Sequence, residues 1–242
     1  MPQDINDQLA LISGASASGK SASLMNLRNQ EKVLYLNCEA GKRLPFKNNF
    51  KSFTITDPGQ VVEALEHAQG NNDYDTIVID TMTFLMDMFE SIHVIDSANT
   101  MAAWSRYAQY FKKLMQTYVA TSDKSILFLA HTRSDLDDTT MTMRTAVPIK
   151  GALQNNGIEA YFSTIVSAKT VPLKTLEKYE SNLLNITEQD ELLGHKYVFQ
   201  TQLTKQTVGE RIRSPMGMFN QQQTFIDNDA QLLLDHLKAY YA

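Results

Sequence analysis

The stretch "LISGASASGKSASLMNL", residues 11–27, constrains this chain more than any other. An apolar run suited to a strand ends at Gly14, small residues follow, and Gly19-Lys20-Ser21 opens a segment with helical spacing. Two glycines so close together let the backbone turn tightly, so that successive N–H groups converge on one point. Ala15, Ser16, Ala17 and Ser18 are too small to block that concavity, and Ala22 comes next after the lysine and serine. The pattern is G-x-x-x-x-G-K-[ST] between strand and helix. In that setting amides cradle phosphate oxygens, Lys20 neutralises the β- and γ-phosphates, and the Ser21 hydroxyl is offered to Mg²⁺. A helix expected over 20–29 would turn its positive end toward the same anion.

A second segment supplies the usual partner of such a loop. "DTIVIDTMTF" at 75–84 places Asp80 at the tip of a buried strand, where a carboxylate, with Ser21, holds the hydrated metal ion. Further apolar runs, "KVLYLNCE" at 32–39, "SILFLAHT" at 125–132 and "YFSTIVSAK" at 161–169, alternate with helix-like segments at 59–69, 101–121 and 150–159. Continuous apolar strands with amphipathic connections predict an α/β fold, a mostly parallel central sheet flanked by helices. "SFTIT" at 52–56 reads as a short additional strand. After about residue 170 the pattern changes. "HKYVFQTQLT" and "GERIRSPMGMF" read as an antiparallel hairpin at the sheet edge, and Asp227 or Asn228 as the cap of a C-terminal helix bearing Leu232, Leu233, Leu234 and Leu237. The 242 residues suit a single domain spanning 1–242, its core at about 8–170 and the edge hairpin and helix at about 195–242. Residues 133–150, "RSDLDDTTMTMRTAVPIK", show neither period and read as a long irregular loop.

The bulk properties narrow the class. A net charge of −5 argues against coating nucleic acid over the whole surface, though not against a local basic groove. Cys38 has no second cysteine to pair with and reads as a buried thiol in a reducing compartment. The polar start "MPQDINDQ" and the lack of a long apolar run point to a cytoplasmic protein with no membrane partner. No N-K-x-D stretch specifies guanine, so ATP is the expected nucleotide. Asp80 is followed by Thr81 rather than an acid, so the residue that orients water must lie elsewhere. Glu39, closing the neighbouring strand, is the best placed.

With Gly14–Ser21, Asp80, Glu39 and "LFLAHTRSD" in place, the chain resembles the RecA-like P-loop ATPases. The resemblance implies that Glu39 is the catalytic base, that His131 senses the γ-phosphate, and that residues 133–150 correspond to a DNA-binding loop. The single-domain length and "LNCEAGKRLP" are similar to the phage-encoded Sak-group single-strand-annealing ATPases. That likeness implies binding of single-stranded DNA, annealing or strand exchange, and work beside a phage single-strand-binding protein in the cytoplasm of an infected bacterial host.

RecA-like ATPases assemble into rings or filaments in which a neighbouring subunit supplies a cation to the transferred phosphate. "TKQTVGERIRSP" resembles the region that carries it, which makes Lys205, Arg211 and Arg213 catalytic candidates, with Lys169 and Lys174 competing for the role. Arg133, Arg144 and Lys150 are the cations a DNA backbone would meet, with Met141 and Met143 nearby; Asp135, Asp137 and Asp138 in the same loop would repel it. Trp104 reads as a stacking or a core residue, and "KRLPFKNNFK" at 42–51 as a basic patch or a polar rim. The alternative reading is a nucleotide or small-molecule kinase, although no arginine-rich lid is evident.

Overall fold

A computed structural model of the chain describes residues 5–139 and 141–242. Its strands are β1 (Leu9–Gly14), β2 (Val33–Asn37), β3 (Lys51–Thr54), β4 (Thr76–Asp80), β5 (Ser125–His131), β6 (Arg133–Asp137), β7 (Thr142–Ala146), β8 (Ile165–Pro172), β9 (His195–Gln200) and β10 (Phe225–Asp227). The helices are α1 (Gly59–Ala68), α2 (Met82–His93), α3 (Thr100–Lys113), α4 (Leu173–Leu176), α5 (Glu188–Leu193) and α6 (Ala230–Tyr241), α3 running on into a π-helical turn at Leu114–Val119. Among the described residues eight strands form one sheet in the order β10-β9-β8-β1-β5-β4-β2-β3. From β8 to β3 every neighbouring pair is parallel, while β8–β9 and β9–β10 are antiparallel. This is the expected α/β architecture.

The inner strands β1, β2, β4 and β5 are apolar at nearly every position because both faces of the sheet are covered there. Leu11, Leu36, Ile77, Ile79, Ile126 and Phe128 face the layer formed by α1, α2 and α3. The alternate residues Ala10, Ile12, Val33, Tyr35, Val78, Leu127 and Leu129 face the opposite layer, where α6 inserts Leu233, Leu234 and Leu237. Period-two alternation therefore assigns each strand residue to one of two cores. Cys38 is buried just beyond β2, and burial pushes its thiol up to about 12, so it is inert at ordinary pH.

Five expectations are corrected. The segment at 20–29 is not an α-helix but a six-residue 3₁₀ turn, Ser21–Asn26. The Ser23 hydroxyl turns back onto the Lys20 carbonyl at 2.6 Å, and Leu27 leaves the helical region with ψ 128°, which ends the run. So short a turn sums only a few peptide dipoles toward an anion. Residues 150–159 hold two 3₁₀ turns, Gly151–Gln154 and Ile158–Tyr161, separated at Gly157 with φ +72°. Residues 133–150 are not irregular throughout: 147–150 have no regular structure, but β6 and β7 form a hairpin. Its residues are largely exposed on both sides, so no apolar alternation records it.

The edge pairing also differs. β9 lies between β8 and β10, whereas "GERIR" makes only single bridges, Glu210 to Thr145 and Arg213 to Ile165. Finally, Asp229 caps α6, accepting from the amides of Gln231 and Leu232 at 2.8 and 3.2 Å. Asp227 belongs to β10, and Asn228 instead donates to the Gly19 carbonyl at 2.9 Å.

Candidate nucleotide-binding site

β1, β5, β4 and β2 run side by side, and their C-terminal ends form one wall of a cleft. Register sets the depth of each group. Gly14 pairs with His131, Asp80 with Leu129, and Asn37 with Asp80, so β5 carries His131 two residues past the level of Asp80. Because β5 separates the loop strand from the Asp80 strand, His131 stands between Lys20 on one side and Glu39 on the other.

The cleft measures about 390 Å³ and takes its walls from Ser16–Ala22, Tyr35, Glu39, Asp80, His131, the 42–45 segment and Tyr197. Both loop glycines are dictated by close approach. A Cβ at Gly14 would lie 2.5 Å from the Ser18 Oγ and 2.7 Å from the Ala168 carbonyl. Gly19 has φ +92°, and a Cβ there would lie 2.8 Å from the Asn228 amide and 3.0 Å from the Tyr197 ring.

The polar groups form one chain. Lys20 Nζ donates to the carbonyls of Gly14 at 2.9 Å and Ala15 at 2.7 Å, and lies 3.4 Å from His131 Nδ1. His131 Nε2 lies 3.0 Å from Glu39 Oε1. A carboxylate only accepts and an ammonium only donates, so the two contacts together require the Nε2–H tautomer. Thr81 Oγ1 donates to the same Glu39 oxygen at 3.4 Å, and Lys42 Nζ pairs with Glu39 Oε2 at 2.8 Å. The His131 amide is held by Thr83 Oγ1 at 2.8 Å. Asp80 Oδ2 receives both Ser21 Oγ at 2.9 Å and Tyr35 Oη at 2.8 Å.

Burial tunes these groups in opposite senses. It lowers Lys20 to about 8, against the pull of Asp80 and Glu39. It raises Asp80 above the usual carboxylate range, against the hydrogen bond from Tyr35, and pushes the Tyr35 phenol up as well. Burial would also raise Glu39, but the hydrogen bonds from Lys42 and His131 outweigh it and hold the carboxylate below its ordinary range.

Among the buried side-chain oxygens with no hydrogen-bond partner in the described residues are Ser18 Oγ and Asp80 Oδ1. Unpaired buried oxygens are costly. Ser18 and Asp80 both line the cleft, and a phosphate and a hydrated cation are the partners their chemistry suits, so the residues present fit a magnesium-chelated nucleotide.

A glycine cradle, a buried lysine followed by a half-buried serine, and a strand-tip aspartate on a parallel sheet define a P-loop NTPase. A family model described as an AAA domain matches residues 6–209, and the chain belongs to that family, an ATPase-type P-loop domain. No curated protein matches the chain.

The residues expected from sequence divide into those brought together and those kept apart. Lys20, Ser21, Ala22, Glu39, Asp80 and His131 share the cleft. Lys205, Arg211 and Arg213 are exposed on the 201–214 segment and do not line it, nor does the exposed Lys174. Lys169 is half-buried and tied to Glu210 and Gln200. Each proposed DNA-facing cation has an acidic partner: Arg133 with Asp135, Arg144 with Asp137, Lys150 with Glu90. Trp104 is half-buried against Tyr107 and Gly151, in the core sense of the two expected readings. In the 42–51 segment Phe46 and Phe50 pack edge to face, and Lys51 lies over the Tyr74 ring, so part of it is structural. Sequence reasoning missed Tyr35, Lys42, Tyr197 and Asn228. Tyr35 and Lys42 flank Glu39 in the same segment and carried a weak signal; the other two come from distant elements and carried none.

Among the described residues no helix is long and apolar enough to cross a membrane.

Proposed function

We propose that the chain is an ATP-hydrolysing recombination protein that binds single-stranded DNA and promotes annealing or strand exchange, of the phage-encoded RecA-like kind. The observation that carries this reading is the continuous chain Lys20–His131–Glu39, with the β6–β7 hairpin starting two residues beyond His131. In it, Gly14, Ala15, Ser16, Ala17, Ser18 and Gly19 cradle the phosphates, Lys20 neutralises them, and Ser21 and Asp80 hold Mg²⁺. The metal, when bound, spreads the charge that develops on the phosphates. Glu39 accepts a proton from the attacking water, and its depressed basicity in the Lys42 pair keeps it ionised. His131 is placed to feel loss of the terminal phosphate and to pull on the strand end from which the hairpin departs.

The cations of the hairpin would exchange their carboxylate partners for DNA phosphates, a trade that surface ion pairs permit because each is weak in water. Lys205, Arg211 and Arg213, exposed in one protomer, are the groups a neighbour's site would receive.

Phosphate release measured against protein concentration, with and without single-stranded oligonucleotide, tests the reading. Turnover per protomer should rise with concentration and rise again with DNA. Glu39→Gln should retain nucleotide and lose hydrolysis by roughly 10²-fold or more, the scale of removing a positioned general base. Oligonucleotide that never associates in any nucleotide state would overturn the DNA part. Stimulation by a nucleoside monophosphate instead would make the protein a phosphotransferase.

A further inference from the structure

We infer that Tyr35 is a positioning residue for the metal-binding carboxylate, its hydroxyl fixing which oxygen of Asp80 faces the cation. The inference rests on the Mg-nucleotide reading above and adds to it the group that sets the metal's ligand.

β2 and β4 are parallel neighbours with Tyr35 level with Val78 and Asn37 level with Asp80. Tyr35 is 4% exposed, and its ring packs 6.2 Å from that of Phe50, so the direction of its hydroxyl is set by the core rather than by solvent. That hydroxyl reaches Asp80 Oδ2 at 2.8 Å, and Ser21 Oγ reaches the same atom at 2.9 Å. Asp80 Oδ1, equally buried, has no partner among the described residues. The two oxygens of a carboxylate are chemically identical. Only an asymmetric set of donors distinguishes them and prevents rotation about the terminal side-chain bond from exchanging them. Of the two donors, Ser21 sits at the end of the phosphate loop, whereas Tyr35 stands on β2, a strand paired on both sides. Tyr35 therefore supplies the fixed reference, and it holds Oδ2 on the side of Ser21, the hydroxyl that would share the cation, with Oδ1 turned into the protein. A buried tyrosine also needs a partner for its own hydroxyl, so a purely structural contact would look alike in a static view. The two roles part in their dependence on metal.

The test is Tyr35→Phe, which keeps the ring and removes the donor. Affinity for a fluorescent, non-hydrolysable ATP analogue is measured in EDTA and across a Mg²⁺ titration. The Mg²⁺ concentration for half-maximal tightening should rise about tenfold, the worth of one hydrogen bond to a charged group, with affinity in EDTA unchanged. An unmoved Mg²⁺ midpoint, or equal weakening with and without metal, overturns the inference while leaving the nucleotide reading intact. A parent protein that binds no nucleotide in either condition overturns both. Should Tyr35→Phe not fold, 3-fluorotyrosine placed at position 35 of the parent sequence gives a second readout. Its ¹⁹F resonance should shift when Mg²⁺ joins the nucleotide complex and stay still when nucleotide binds in EDTA; the absence of a metal-dependent shift overturns the inference.

Discussion

Lys20 illustrates how one buried side chain can couple binding to pH. Burial holds its ammonium at about 8 in the free protein, below the ordinary lysine value of 10.5. Between those values the unfolded chain binds more protons than the fold, so this lysine's contribution to stability improves as pH rises through about 8. Phosphate binding works the other way, because it needs the charged form. Nucleotide affinity should therefore fall above pH 8, by up to about tenfold per unit, and binding near pH 8.5 should take up a proton. Calorimetry in buffers of different ionisation enthalpy reads that uptake directly, and a pH-independent affinity from 7 to 9.5 would contradict it. Lys20→Ala should abolish both the affinity and its pH dependence. Glu39 has the opposite linkage: its carboxyl is held low, so the stability it adds is present at neutral pH and is lost only as pH falls through its depressed value.

Among the elements, the β6–β7 hairpin and the 201–214 segment act as one piece. The Thr145 amide donates to the Gly209 carbonyl at 2.9 Å, and Glu210, which bridges to Thr145, also holds Lys169 on β8. Gly209 is the residue that permits this contact: a Cβ there would fall 1.9 Å from the Met143 carbonyl oxygen. Both partners are backbone, so neither can step aside cheaply. Gly209→Ala should cost about 1–3 kcal/mol, as for overpacking, and lower the thermal midpoint by a few degrees. Hydrogen exchange at the Thr145 amide should accelerate well beyond that of β5, which the substitution does not touch. Uniform acceleration across the sheet would mean the latch is not local. The hairpin also shows why this part of the fold was illegible in sequence. With Asp135 opposite Arg144 and Leu136 opposite Met143, both exposed, it buries no face, and a strand without a buried face leaves no periodic trace.

At the scale of the whole molecule, the cleft of one protomer holds Lys20, Lys42 and Arg43, and the proposed assembly would add a cation from a neighbouring copy. Lys205, Arg211 and Arg213 are exposed and do not line it; the proposed reading assigns them to an adjacent copy. If so, a protomer carrying Arg211→Ala and Arg213→Ala together should bind nucleotide normally and lose about 10²–10³-fold in turnover, the cost of removing an electrostatic donor. Mixing it with Glu39→Gln subunits, which keep their arginines but lack the base, should restore part of the activity. Two inactive proteins that stay inactive at every mixing ratio would place the missing cation within the protomer instead.

What the sequence determined by itself was the set of local patterns that need only neighbours in the chain: the glycine loop, the strand ending in Asp80, Glu39 after "VLYLNC", and His131 after "LFLA". These were legible because loop conformation and strand burial are short-range, and strands covered on both faces read as continuous apolar runs. The tertiary structure decided everything that depends on which strand lies beside which. Strand order put His131 between Lys20 and Glu39, turned Tyr35 onto Asp80, and brought Asn228 and Tyr197 to Gly19 from the far end of the chain. Those contacts join residues tens to hundreds of positions apart. Their side chains obey no spacing rule, because packing of the two layers against the sheet, not chain connectivity, sets the distance between them.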